Sequence, residues 1–127
     1  MDGTIPTSQL PHVLARIGEM SASYGLQVAN IFHAGDGNLH PLIMFDSNDP
    51  ASFAKAEKFG ADILILCVEV GGCLTGEHGV GVEKRDLMGV QFSEIELDQQ
   101  RRVKSAFDPG WLLNANKVFP LKGLAAA

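Results

Sequence analysis

Apolar positions along the chain switch between helical and strand spacing. Pro6-Thr7-Ser8 is a helix start signal, with Thr7 or Ser8 as the cap. Leu10, Val13, Leu14, Ile17 and Met20 then recur along one helix face, and Gly25 stops that helix. "LQVANIF" (26–32) is rich in strand formers, and "NLHPLIMF" (38–45) reads as its partner. "DSNDP" is a turn cluster that caps a second helix, "ASFAKAEKFGADILILCVEV". There Phe53, Ala56, Ile63, Leu64, Cys67 and Val70 hold the helical period, although "DILILCV" alone also fits a buried strand. "GGCLTGEHGVG" breaks regular structure: its five glycines imply unusual backbone angles or something lying close to the main chain. Ser93 and Glu96 fit a capping box that opens a third helix, "SEIELDQQRRVKSAF", and "DPG" ends it. "WLLNANKVFP" follows as a short extended or looped segment, and "GLAAA" reads as a frayed tail. The order helix, strand, strand, helix, loop, helix predicts an α+β fold: an antiparallel hairpin packed with about three helices.

Composition narrows the class. The 127 residues make one ordinary domain, 46% hydrophobic and 20% charged, which is globular rather than disordered. A net charge of −5 with scattered basic residues argues against a nucleic-acid partner. The longest apolar run, "ILILCV", is too short to span a bilayer, and "MDGTIPTSQLP" lacks the basic and apolar regions of a signal peptide. Cys67 and Cys73 form no CxxC pair and no disulfide framework, which points to a reducing, cytoplasmic setting. Both are expected in the core, as are Trp111 and the phenylalanines.

Candidate chemistry gathers at two places. In "IFHAGDGNLHPLI", Asp-Gly is a strong two-residue hairpin signal. With Asp36 and Gly37 at the turn, His33 stands opposite His40, with Cβ atoms about 5 Å apart on one face. Two imidazoles so placed can share a metal ion; the alternative is that each is a polar side chain at a strand end with no ligand, the prevailing reading for a histidine that stands alone. A one-residue slip would part them. Asp36 and Asn38 are expected as turn residues. The second place is "GEHGVG", where Glu77 and His78 lie in a glycine-flanked loop. Beside the histidine pair, Glu77 would complete a His, His, Glu set that suits zinc and leaves a coordination position open. Spacing leaves open whether that loop meets the hairpin or is a solvated surface loop. A site of this kind suits deprotonation of an alcohol or of water, with a nearby imidazole accepting the proton.

Three stretches in order, "HAGDGNLHP", "GEHGVGVEKRDLM" and "AFDPGWLLNANKVFP", resemble the C-terminal part of the FAD-linked 2-hydroxyacid dehydrogenases and oxidases. This is the group of the glycolate oxidase flavin subunit, D-lactate dehydrogenase and D-2-hydroxyglutarate dehydrogenase, in the vanillyl-alcohol oxidase superfamily. The resemblance runs from about Thr4 to Pro120. It implies that His33, His40 and Glu77 are ligands of a divalent metal, zinc above all. It implies that His78 takes the substrate hydroxyl proton while hydride leaves for FAD. It matches Asn114 and Lys117 to flavin-side residues of an "LNPGK" segment, which here reads "LNANK".

The resemblance further implies that residues 1–127 are the second half of a ferredoxin-like substrate domain plus a C-terminal flavin-facing helix. The FAD-binding domain is expected to lie outside this chain, so the chain by itself is expected to be inactive. The function implied is oxidation of a small 2-hydroxy acid, glycolate or D-lactate, to the 2-oxo acid. The partners implied are the FAD domain or other oxidase subunits, with peripheral membrane association in the full complex. A stand-alone metal-binding or dimerisation module and a small zinc hydrolase using His78 as base are the alternatives. A hairpin with unpaired edges and apolar faces predicts a homodimer.

Overall fold

The structure, a computed structural model, describes residues 1–121; the "GLAAA" tail lies outside the described residues. The fold is α+β, as the periodicity predicts. It comprises β1 (Gly3–Thr4), a 3-10 turn (Thr7–Gln9), α1 (Leu10–Tyr24), β2 (Val28–His33), β3 (Asn38–Ile43), α2 (Pro50–Glu69), a second 3-10 turn (Arg85–Leu87), α3 (Met88–Gln91) and α4 (Glu94–Phe107). The chain divides into two compact units, the first Met1–His78 and the second beginning at Gly79.

In the first unit the sheet order is β1-β3-β2, antiparallel throughout. β1 has no counterpart in the sequence reading, because two residues, Gly and Thr, carry no periodicity. One face of the sheet is the core face. Leu39 is buried there with Ile5, Val13 and Ile17 and with Phe59, Ile63, Leu66 and Cys67 of α2, and Val28 and Ile43 pack against this cluster. Burial at Ile63, Leu64, Leu66 and Cys67 follows the helical period and settles "DILILCV" as helix. The other face carries Asn38, His40 and Leu42 of β3 beside His33, Ile31 and Ala29 of β2.

Helix ends follow local chemistry. The Asp49 carboxylate accepts the Ala51 N–H, with Pro50 in the first turn of α2. α1 ends at Gly25, whose φ is 63°. Its start differs from expectation, since neither Thr7 nor Ser8 caps it. The Gln9 N–H donates to the Pro6 carbonyl at 2.8 Å, and the 3-10 turn leads directly into α1.

The hairpin register is also corrected. His33 pairs with Asn38 and His40 with Ile31, so the turn spans Ala34 to Gly37 rather than Asp36-Gly37 alone. A contact from outside the hairpin accompanies this register. The Ile5 N–H donates to the Gly37 carbonyl at 2.9 Å, and a Cβ on Gly37 would stand 2.0 Å from the Ile5 oxygen. Gly37, at φ 68°, therefore serves the docking of the N-terminal segment as well as the turn. Asn38 becomes a buried strand residue, while Asp36 remains in the turn.

The second unit is organised by α4. Ser93 accepts the Glu96 N–H and Glu96 reaches back to the Ser93 N–H, the expected capping box. These bonds from the Ser93 backbone and hydroxyl hold the Glu96 carboxyl below its ordinary range. At the other end, Asp108 is buried and accepts from Lys104 and from the backbone N–H groups of Leu112 and Leu113. The Lys104 hydrogen bond is the main cause of a lowered Asp108 pKa. Leu97, Met88 and Phe119 are buried in this unit, whereas Trp111 is half-buried with its ring 5.6 Å from Phe119. The aromatic expectation holds for Phe59 and Phe119 and fails for Phe32, Phe45, Phe53 and Phe107, the last 87% exposed. Cys67 is buried as expected, but Cys73 is exposed on the loop beyond α2.

Candidate metal and proton-transfer site

The register correction moves the histidines by two residues and so preserves their shared face. His33 and His40 are diagonal neighbours, their ring centroids 5.3 Å apart and edge to face. What brings the glycine-rich loop to them is the strand pairing at the N-terminus. Thr4 and Cys73 exchange two backbone hydrogen bonds, of 3.0 and 2.9 Å, so the chain leaving α2 runs back along β1. Residues 75–78 then reach the face that carries His33 and His40.

Glu77 is the meeting point. Its Oε1 lies 2.9 Å from His40 Nε2 and 3.9 Å from Nε2 of both His33 and His78. Asn38 Nδ2 donates to the same oxygen at 3.3 Å. The His78 ring stacks on His40 at 5.2 Å. His40 is the most enclosed of these side chains, at 15% exposed, while His33, Glu77 and His78 are all more than half exposed. One donor atom from each of His33, His40 and Glu77 falls within 4.8 Å of the others. Two imidazoles and a carboxylate converging on a half-open face form a donor set that fits a divalent metal with a free position. His78 stands beside that set with its own imidazole open to the same face.

Comparison with known proteins shows the family. A family model described as "FAD linked oxidases, C-terminal domain" matches residues 1–118. The chain belongs to this family. It is 57% identical over 120 residues to glycolate oxidase subunit GlcD of Escherichia coli, covering 94% of this chain and 24% of that protein. Over 118 residues it is 35% identical to the GlcD of Bacillus subtilis, covering 93% and 25%. A D-lactate dehydrogenase of Archaeoglobus fulgidus is 32% identical over 120 residues, covering 93% and 26%. The chain thus spans about a quarter of the length of the curated relatives it matches.

Two residues of this FAD-linked oxidase domain matter to the site and were not singled out for it from sequence. Asn38, expected in the turn, is buried and reaches Glu77. Asp2, fully buried, accepts hydrogen bonds from the loop that carries Glu77 and His78. Asn38 could have been suspected from its place at the head of an apolar strand. Asp2 offers no local signal, since its partners lie more than 70 residues away.

Asn114 and Lys117 belong to the second unit. Both are exposed, and the Lys117 N–H donates to the Asn114 carbonyl at 3.3 Å. Asn114 and Asn116 have φ of 49° and 61°. Asn tolerates the left-handed region better than most residues, so "LNANK" accommodates these positive φ values. Arg85 holds this turn by donating to the Asn116 carbonyl at 2.7 Å.

Proposed function

We propose that this chain is the substrate- and metal-binding portion of an FAD-dependent oxidoreductase that converts a small 2-hydroxy acid, of the glycolate or D-lactate type, to the 2-oxo acid. The observation that carries the proposal is the convergence of His33, His40 and Glu77 beside His78. The printed names of relatives, glycolate oxidase and D-lactate dehydrogenase, supply the substrate class.

In this reading His33, His40 and Glu77 hold a divalent metal, zinc by donor type. When bound, the metal supplies polarisation of the substrate hydroxyl and the flavin supplies a two-electron acceptor. The chain's own residues do the rest. His78 Nε2 receives the hydroxyl proton, as the exposed imidazole nearest the donor set. His40, packed between the rings of His33 and His78, sets the position of both. Asn38 orients the Glu77 carboxylate from its buried side. Asn114 and Lys117, in the second unit, are the residues that would help hold the flavin. The 127-residue chain by itself retains no FAD and turns over no 2-hydroxy acid, and it works joined to an FAD domain or to oxidase subunits.

Metal analysis of the purified chain, with an absorption spectrum, tests the reading. Close to one zinc per chain and no flavin band are expected. A chain that takes up no divalent metal even when it is supplied in excess would overturn the metal assignment. A yellow chain, or dye reduction with glycolate or D-lactate, would overturn the inactivity of the isolated domain.

A further inference from the structure

The Asp2 side chain is fully buried beside a half-exposed site. Its Oδ1 accepts from the Thr75 hydroxyl and the Gly76 N–H, both at 3.0 Å. Its Oδ2 accepts from the N–H groups of Glu77 and His78 at 2.7 and 2.6 Å. Three successive backbone N–H groups that turn toward one point form an anion cradle. Here the anion is a carboxylate of the same chain, next to the strand that pairs with β3. Thr4, two residues on, pairs with Asn38 and so faces the His40 side of the sheet. The alternation aims Asp2 toward that side too.

We infer that Asp2 is the positioning residue of the site: its carboxylate clamps residues 75–78 so that Glu77 completes the donor set of His33 and His40, and His78 stands over His40. The inference rests on the metal-binding reading above. Neither Glu77 nor His78 is held by close packing, since both side chains are more than half exposed. Asn38 and His40 orient the two side chains once they arrive, but it is the backbone that delivers them there, and Asp2 holds that backbone. Without the carboxylate, three N–H groups lose their common acceptor and the loop loses the reason for its shape.

Asp2→Asn is nearly isosteric and, whichever way the amide turns, sets its NH2 against at least one backbone N–H donor. Cobalt(II) titration of the 127-residue chain reads the outcome through the ligand-field absorption bands and the affinity. Asp2→Asn is expected to bind cobalt about 10- to 100-fold more weakly, the usual cost of removing a group that orients ligands, with an altered band pattern. Amide exchange at Gly76, Glu77 and His78 is expected to speed up while exchange in α2 stays unchanged. Unchanged cobalt affinity and spectrum, even with faster exchange, would reduce Asp2 to a structural residue and overturn the inference.

If the unsubstituted chain binds no cobalt, the metal reading fails by itself. Asp2 is then judged by amide exchange and by the His40 Nε2 resonance, and the absence of change in both overturns its role. If Asp2→Asn does not fold, Thr75→Val carries the test by removing one donor of the clamp. Weaker cobalt binding at an unchanged melting temperature is expected, and unchanged binding overturns the inference.

Discussion

Gly76 has room for a hydrogen and nothing larger. A Cβ there would lie 2.5 Å from Asn38 Oδ1, inside contact distance of a buried side chain that also bonds Glu77. Gly76→Ala is therefore expected to push Asn38 off Glu77 and to cost about 1–3 kcal/mol, as overpacking does. Chemical denaturation checks the cost, and a parallel loss of metal affinity would show that the strain reaches the donor set. His40 is the most enclosed member of that set, so His40→Ala is expected to bring metal stoichiometry close to zero. Unchanged stoichiometry would mean that the metal sits elsewhere. At this scale the sequence revealed His33, His40, Glu77 and His78 as candidates, because residue type and turn chemistry are local properties. Asn38 and Asp2 escaped it. Asn38 had a local hint in its place at the head of an apolar strand, but the contact of Asp2 spans most of the first unit and nothing adjacent to it in the chain announces it.

Elements were legible where they were long. α1, α2 and α4 repeat an apolar face over several turns, and their starts and stops carry Pro50, Gly25 and Ser93. β1 was invisible because a two-residue strand has no period, and the Asp-Gly signal taken alone centred the hairpin turn one residue too far along. The histidines still share a face because the slip was an even number of residues. The end of α4 gives an element-level prediction. Asp108 is anchored by Lys104 and by two backbone N–H groups, and its folded pKa lies below the unfolded one. Its contribution to stability is complete at neutral pH. It falls away from about pH 4 downward, as the carboxyl is protonated through its lowered folded value. Asp108→Asn should remove this acid-dependent component while leaving a folded chain. Thermal melts between pH 3 and 7 would show a flatter profile for the variant. Ser93→Ala should cost about 1 kcal/mol through loss of the capping box, read in the same melts.

At the scale of the whole molecule, the open face of the sheet is the main unsolved surface. Ile31 and Leu42, beside the histidines, are 57% and 50% exposed, and among the described residues β2 is an edge strand. Apolar edges of this kind recruit another strand or another surface. In a relative four times as long, the rest of the polypeptide can provide that cover. For the 127-residue chain alone, self-association into a dimer is the expected outcome. Light scattering over a range of concentrations checks it, and a monomer mass at every concentration would count against it. None of the helices described is long and apolar enough to cross a membrane.

The clamp on residues 75–78 joins positions 73 to 76 apart in sequence. Closing so long a loop carries an entropic cost that only a nearly finished structure offsets. Metal competence should thus be the last property the first unit acquires: a refolding chain gains its helical signal early and its cobalt spectrum late. On a ribosome, the donor set cannot assemble until residue 78 has emerged and folded back onto Asp2, made 76 residues earlier. Asp2 works as a fastener that is in place before the segment it closes on, so the site is completed only when residues 75–78 reach that carboxylate.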